Sequence, residues 1–446
     1  MMPKSPLDLT REIDARRIGG YQLGALAICF SIVLIDGFDT QLIGFAAKRI
    51  SESRGIALAD FGGIFSAGLF GAVVGAFALG PMADFHGRRK TLVLAMVIFA
   101  GATLVLPQAS GFWQFALCRF VAGLGLGGAV PNLIALSSEY VPARHRAWLT
   151  GVLYSAYPLG GVVGAVLAAQ VMPTIGWEML FYLGGGLPLV LIVLAIAKLP
   201  ESIQFLRTRD RGTDAMLAIA RRLYPREEIV AVVATGYAKP LSGSPISHLF
   251  DRERALATTI LWLGFFTSYA LVIVMVLWTP ALLSDAGVAP GRAAIVSGMT
   301  NGGGMIGTLI GGRVVDRFGL FPTLPLALVT AGLSVMAIGH ATEFAPLVAF
   351  LAGCAGLMLG LTTASLLGMG VAVYPAEIRS TGLGWGIGVA RLGQVVAPLV
   401  VSAYVSVGAG ASSIFLWAGL PAIAIGAAIF ALQRSLRDSA ADVRVA

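Results

Sequence analysis

Long apolar runs broken by short polar and charged clusters organise the chain from residue 20 to residue 433. No Asp, Glu, Lys or Arg occurs in 61–83, 91–118, 120–138, 147–177, 179–197, 255–284, 318–342, 344–376 or 392–433. About 20 apolar residues suffice to cross the hydrocarbon core of a bilayer. The last run is long enough for most of two helices, with a break near Gly408-Ala409-Gly410. Two further spans, around 20–46 and 292–314, carry charges or glycine clusters. The pattern therefore predicts an all-α membrane protein with twelve helices, near 20–46, 60–82, 91–108, 113–136, 147–172, 178–198, 255–283, 292–314, 323–341, 345–372, 381–407 and 412–433. The polar stretch 201–254 divides them into two groups of six. The expected organisation is a tail (1–19), a six-helix bundle (20–200), a linker (201–254), a second bundle (255–433) and a tail (434–446). Short amphipathic helices are expected in the linker, for example around 214–223. The first apolar stretch does not read as a cleaved signal: it is too long, contains Asp36 and Asp39, and is followed by no small-residue cleavage site.

Composition narrows the class. Apolar residues make up 57% of the 446 positions and charged residues 12%, about half the usual charged fraction; mean hydropathy is +0.84. A soluble chain of this length lacks the interior to hide so much apolar surface, which excludes an ordinary soluble enzyme, a disordered chain and a secreted disulfide scaffold. The 57 glycines suit membrane helices, where small residues permit close approach. Cys29, Cys118 and Cys354 are widely spaced inside apolar runs, and His86, His145, His248 and His340 form no ligand pair, so no metal is expected. No nucleotide-binding loop of the G-x-x-x-x-G-K-[ST] type occurs, and the glycine run 123–128 follows no strand.

The 31 Lys and Arg set the expected orientation. Lys48, Arg49, Arg54 and Arg292 fall on one side, Arg119 and Arg391 fall within spans, and the rest gather in the tails and loops of the other side. The positive-inside rule then places both termini in the cytoplasm, in a multi-pass protein of the cell (inner) membrane. It also explains the net charge of +8 without nucleic acid, since the charges are scattered over loops rather than gathered on one face.

The two halves repeat each other. Gly80-x-x-x-Asp84-x-x-Gly87, followed by Arg88, reads against Gly312-x-x-x-Asp316-Arg317-x-Gly319 at an offset of 232 residues. Pro142-x-x-x-Arg146 reads against Pro375-x-x-x-Arg379 at an offset of 233. Parallel six-span repeats are the signature of one transporter architecture, with its substrate site between the halves near the midplane. The glycines permit a tight turn, and the Asp can cap a helix or accept from Arg. Gly80, Asp84, Gly87, Arg88, Arg146, Asp316, Arg317 and Arg379, together with Glu139 beside Arg144 and Arg146, are thus candidates for a cytoplasmic gate. The competing reading of Gly87-Arg88-Arg89-Lys90 is a topological anchor.

Charges within a membrane are costly and default to function. Asp36 and Asp39 lie three residues apart on one helix face. Neighbouring carboxylates in a low-dielectric setting resist being ionised together, the chemistry of a proton-coupling group. Arg119 needs an anionic partner, for which Asp36 and Asp39 are both candidates. Arg391 has no acidic residue near it in sequence, and a small carboxylate substrate is one candidate partner; an acid on another helix is the alternative. Gln41, Asn132, Asn301 and Gln394 offer uncharged polar groups, and Tyr157, Phe266 and Trp385 aromatic ones, for a small organic anion; Trp262, Phe265, Tyr269 and Trp278 are further aromatic candidates. Helix packing and interface belts are the competing roles.

The glycine–aspartate loop and its second copy resemble the major facilitator superfamily over the whole chain. Asp36-Gly-Phe-Asp39, Arg119-Phe-x-x-Gly-x-Gly-x-Gly, Ser138-Glu139-Tyr-x-Pro142, Leu199-Pro-Glu-Ser202 and Tyr374-Pro-x-x-Ile-Arg379-x-Thr-Gly-x-Gly-Trp385 resemble the aromatic acid:proton symporters. The resemblance implies the major facilitator fold, two pseudo-symmetric six-helix bundles. It implies uptake of a benzoate- or hydroxybenzoate-like carboxylate with protons, by alternating access, driven by the proton gradient without a cofactor. It also implies that the two acids of the first motif act in transport and that Asp84, Arg119, Glu139, Arg379 and Arg391 are important charges. The partners expected are the organic anion, protons and lipid, with no nucleic acid and no obligate protein partner, in a monomer. Residues 269–280 are more uniformly aliphatic than that family leads one to expect, so another organic acid such as muconate stays open, as do sugars or drugs as cargo. A membrane chemoreceptor for an aromatic acid is the reading from another class; the 201–254 loop is small for a signalling output.

Overall fold

A computed structural model describes residues 7–207, 212–225, 229, 231–233, 249–251, 254–341, 344–374 and 378–445. Pro375 of the second repeat and His248 lie outside the described residues. The backbone is almost wholly helical. We number the twelve long helices α1 (Gly20–Arg54), α2 (Phe61–His86), α3 (Arg88–Val105), α4 (Phe112–Glu139), α5 (Arg146–Val171), α6 (Glu178–Lys198), α7 (Ala255–Asp285), α8 (Pro290–Phe318), α9 (Leu320–His340), α10 (Ala345–Val373), α11 (Arg379–Ser406) and α12 (Ala411–Val445). All except α8 are long and apolar enough by composition to cross a membrane. Helix α8 has the length but carries Arg292, Arg313, Asp316, Arg317 and a run of glycines, which is why its apolar signal is weak.

Packing repeats with a period of six helices. α2 lies on α4 as α8 lies on α10; α3 lies on α6 as α9 on α12; α1 lies on α5 as α7 on α11. The halves meet where α5 packs on α8, α2 on α11 and α1 on α7. The chain is thus a multi-pass membrane protein of two pseudo-symmetric six-helix bundles. Two details of the repeat are local. Gly87 and Gly319, at φ +100° and +86°, end α2 and α8, with their N–H groups on Ala83 O and Val315 O; a side chain is strained in that conformation. Arg146 and Arg379 each donate Nε to the carbonyl five residues back, Val141 and Tyr374, both at 3.3 Å.

Helix ends follow their residues. Helix α1 runs two turns beyond the expected 46, through the charged Lys48–Arg54 segment, and stops at Gly55 with φ +66°. Arg54 donates to Pro107 O (2.8 Å). In α7 a π-turn at Val274–Trp278 precedes Pro280. Proline has no N–H for the Val276 carbonyl, and Ser297 of α8 donates to it instead (3.1 Å). Helix α12 continues to Val445, past the residues expected to form a tail.

On the face bearing the termini, Leu7–Asp8 pairs in parallel with Val232–Val233 of the connector. Helix Leu9–Ala15 follows, capped by Asp8, which accepts from Thr10 N (3.1 Å). Helix Gly212–Leu223 occupies the expected amphipathic stretch, with Met216, Ile219 and Ala220 buried.

Candidate functional site

The site is built where α1 crosses α5. Gly37 allows that crossing: a Cβ there would meet the Tyr157 carbonyl, and one on Gly160 would meet Leu34 O. Backbone contact of this kind brings Asp36, Asp39, Thr40 and Gln41 to the seam between the halves.

The two acids of α1 have different surroundings. Asp39 is fully buried (0% exposed). It accepts from Thr103 Oγ1 of α3 on one carboxylate oxygen (2.7 Å) and from Arg119 Nη1 of α4 on the other (3.1 Å). Arg119 also donates to the backbone carbonyls of Asp39 and Thr40, both at 3.4 Å. The guanidinium thus fixes one carboxylate and a stretch of α1 backbone at once. Both charges are buried, so removing one partner would leave the other uncompensated, a loss of roughly 3–5 kcal/mol. Asp36 is also buried (6% exposed), but among the described residues its one hydrogen bond comes from Thr40 Oγ1 (3.3 Å).

Arg391 stands across the seam on α11. It is half-buried and, among the described residues, makes no hydrogen bond or ion pair. Asp36, Tyr154, Tyr157 and Tyr269 all lie within its electrostatic reach. A guanidinium without a bonded partner among the described residues, within electrostatic reach of a carboxyl and three tyrosines drawn from both halves, can take a planar anion through two parallel hydrogen bonds.

The other candidates divide. Gln41 and Asn301 bond each other across the seam (3.1 and 2.7 Å). Asn132 donates to Gly128 O in its own helix (2.8 Å). Tyr157 is half-buried beside Gly37, and Phe266 and Gln394 are half-buried on α7 and α11. Trp385 stacks on Trp262 (centroids 6.3 Å, 18°), nearer the terminal face than Arg391, and Trp262 packs edge-on against Phe250 (5.1 Å).

At the terminal face Glu139 binds Arg88 (2.9 Å) rather than its sequence neighbours Arg144 and Arg146. It also accepts from Ser202 Oγ (2.9 Å) and Gln204 N (3.2 Å). Glu201 accepts from Arg89 N (3.0 Å), and Gly87 packs directly on its carboxylate. Arg144 and Arg146 turn instead to Asp14. Gly80 is half-buried, whereas Asp84, Asp316 and Arg317 are exposed. Contacts between the halves concentrate toward the opposite face: the Gln41–Asn301 pair, Ser66 Oγ on Val395 O (2.7 Å), Ser402 Oγ on Ala59 O, and Lys48 with Asp285 (2.7 Å). Among the described residues these polar contacts join the halves on the far side.

The Major Facilitator Superfamily model matches residues 29–398. The chain belongs to that superfamily. Curated relatives span nearly its whole length: the gallate transporter of Pseudomonas putida is 32% identical, covering 96% of this chain and 95% of that one. The 4-hydroxybenzoate transporter PcaK of Acinetobacter baylyi is 31% identical over 96% and 94%. Among solved structures, that of a D-xylose-proton symporter superposes with a TM-score of 0.70 at 16% identity, covering 92% of this chain and 98% of that one. Within the superfamily the relatives are of the aromatic acid:proton symporter type, as the motifs of the first and fourth helices imply.

Several residues of this major facilitator site were not singled out from the sequence. Thr40 was legible in principle, one turn after Asp36. Thr103 and Asp14 carry no sequence signal: each is brought to its partner by the packing of segments distant in the chain.

Proposed function

We propose that this transporter imports a small aromatic carboxylate together with protons across the cell inner membrane, with both termini in the cytoplasm. It needs no cofactor and works as a monomer. The observation that carries the reading is Arg391, a half-buried guanidinium on one half without a bonded partner among the described residues, within electrostatic reach of buried Asp36 on the other half. The names of the relatives support an aromatic acid as cargo, and the phenol rings of Tyr154, Tyr157 and Tyr269 suit an aromatic ring beside the carboxylate.

Coupling follows from charge balance. With the site empty, ionised Asp36 is the anion that Arg391 faces. A substrate carboxylate competes for that guanidinium, and it does so best when Asp36 has taken a proton. Proton and acid therefore favour each other's binding. The empty site (Asp36 ionised, Arg391 charged) and the loaded site (Asp36 protonated, Arg391 on the substrate) carry the same net charge. Singly loaded states leave a buried charge without compensation, which is costly. Asp39 is the ion-pair partner of Arg119 and is held by Thr103. Asp84, Arg88, Glu139, Arg146, Asp316, Arg317 and Arg379 serve the cytoplasmic gate, which closes when the far side opens.

Uptake of labelled benzoate, 4-hydroxybenzoate and gallate into proteoliposomes, with and without an inward proton gradient, tests the reading. Accumulation above equilibrium only with the gradient is expected. Saturable binding without accumulation would point to a receptor, and transport of none of the acids would overturn the cargo assignment.

A further inference from the structure

Gln41 and Asn301 are two carboxamides of the seam, one from each half. Rather than lining an open site, they bond each other reciprocally. Gln41 Nε2 donates to Asn301 Oδ1 (3.1 Å), and Asn301 Nδ2 donates to Gln41 Oε1 (2.7 Å). The second hydrogen of Asn301 goes to Ser297 O (2.9 Å). Both side chains are buried. The pair rests on Gly161 of α5, where a Cβ would press on the Gln41 amide and sit 2.7 Å from Asn301 Oδ1.

Position gives the pair its meaning. Toward the terminal face, Asp36 follows on α1. Toward the far face the halves stay in contact: Gly44 backs onto Leu277, Gly298 meets Ala165, and Lys48 bonds Asp285. The amide pair is the polar layer between the candidate substrate site and that seal. Its chemistry suits a contact that must form and break. In a dry seam each amide needs the other, because an unpartnered buried amide is costly. Once the halves part, water satisfies both at little expense. An apolar contact of the same size resists separation in proportion to its area. Two carboxamides joined donor to acceptor also fix one register between α1 and α8.

We propose that the Gln41–Asn301 pair, seated on Gly161, is the latch that closes the far-side entrance above the substrate site. The inference rests on the alternating-access part of the proposed function and on nothing about the identity of the acid.

The test reads access directly and needs no substrate. In a full-length background with Cys29, Cys118 and Cys354 replaced, Met305→Cys supplies the reporter; Met305 is half-buried one turn from Asn301 toward the terminal face, on the site side of the pair. A membrane-impermeant methanethiosulfonate is added to the far side of right-side-out vesicles. Slow labelling is expected in the parent. Gln41→Leu and Asn301→Leu, which keep bulk but cannot bond, should raise the rate about tenfold or more, as should Gly161→Ala, which keeps both amides. Gln41→Asn or Asn301→Gln alone should also raise it. The two together preserve the combined side-chain reach and should restore slow labelling, which a merely structural role does not predict. Unchanged labelling in the Leu variants and in Gly161→Ala overturns the latch. So does fast labelling that the exchanged pair fails to reverse. Unchanged labelling with lost affinity for benzoate would make the two residues substrate ligands instead, leaving the transport reading intact.

Discussion

Replacing Arg391 is the sharpest test of the proposed site, because a role in binding the carboxylate and a role in holding helices predict different outcomes for an acid and an amide ligand. Among the described residues Arg391 makes no hydrogen bond or ion pair and is half-buried on α11. Its removal breaks no hydrogen bond or ion pair and takes away only the charge set against Asp36, so Arg391→Ala should lower the thermal unfolding midpoint of the purified protein less than Asp39→Ala, which leaves Arg119 without its bonded partner. Binding should respond differently. A carboxylate seated on a guanidinium in a partly dry site loses roughly 2–5 kcal/mol when that partner is truncated, or about 30-fold to several thousand-fold in affinity. Arg391→Lys keeps the charge but loses the planar fork that grips both carboxylate oxygens, so it should fall at the lower end of that range. Equilibrium binding of labelled benzoate and of benzamide to the detergent-purified protein gives the comparison. The loss should be large for the acid and small for the amide, which presents no carboxylate. Equal losses for the two ligands, or a midpoint that falls as far as in Asp39→Ala, would mean that Arg391 holds helices together, and the carboxylate site would have to be sought elsewhere.

Three further outcomes follow from the same geometry. Asp36→Asn should abolish gradient-driven accumulation yet permit exchange of labelled for unlabelled acid, since an amide keeps the shape and cannot carry a proton; for each proton coupled in the wild type, a gradient of one pH unit is worth about 1.4 kcal/mol, or tenfold accumulation. Thr103→Val removes a hydroxyl donor to a buried charged acceptor and should destabilise the fold by about 1.5–3 kcal/mol, with Thr103→Ser restoring the unfolding midpoint and the residual transport still gradient-dependent; loss of gradient dependence at normal stability would make Asp39 the proton carrier. Asp84→Ala should slow turnover strongly while equilibrium binding of the acid stays within about twofold, because Asp84 is exposed at the terminal face, far from the seam.

The apolar runs made the helices legible because a bilayer demands internally bonded segments of a minimum length. The repeated glycine–aspartate loops made the two halves legible, and Gly87 and Gly319 do take matching left-handed conformations. Helix α8 was visible only by analogy to the other half, since glycines and charges dilute its apolar signal. At the site, sequence spacing identified the costly residues but left their partners open. Arg119 had two acids to choose from and binds Asp39. Glu139 had arginines five and seven residues away and binds Arg88, 51 residues earlier. The reason is geometric. The residues after Glu139 leave the helix, so Arg144 and Arg146 point to the N-terminal segment, whereas Arg88 starts the helix packed alongside. For Gln41 and Asn301 the sequence shows their polarity but not that they bond each other across the seam.

In the proposed mechanism the contrast between the two acid–guanidinium relations assigns coupling to Asp36 and a fixed ion pair to Asp39. Asp39, Arg119 and Thr103 all belong to the first half. That half moves as a body in alternating access, so their distances persist whether the protein opens to one side or the other. An interaction that is equal in both states contributes nothing to the difference between them. Asp36 and Arg391 belong to different halves, and any rocking of one bundle against the other changes their separation. In the proposed mechanism, protonating Asp36 or occupying Arg391 therefore alters the balance between the two states, whereas protonating Asp39 would only release Arg119 inside a rigid bundle at a cost of several kcal/mol. The acid that is held best within one half is thus poorly suited to sense the gradient, and the acid facing across the seam is suited to it.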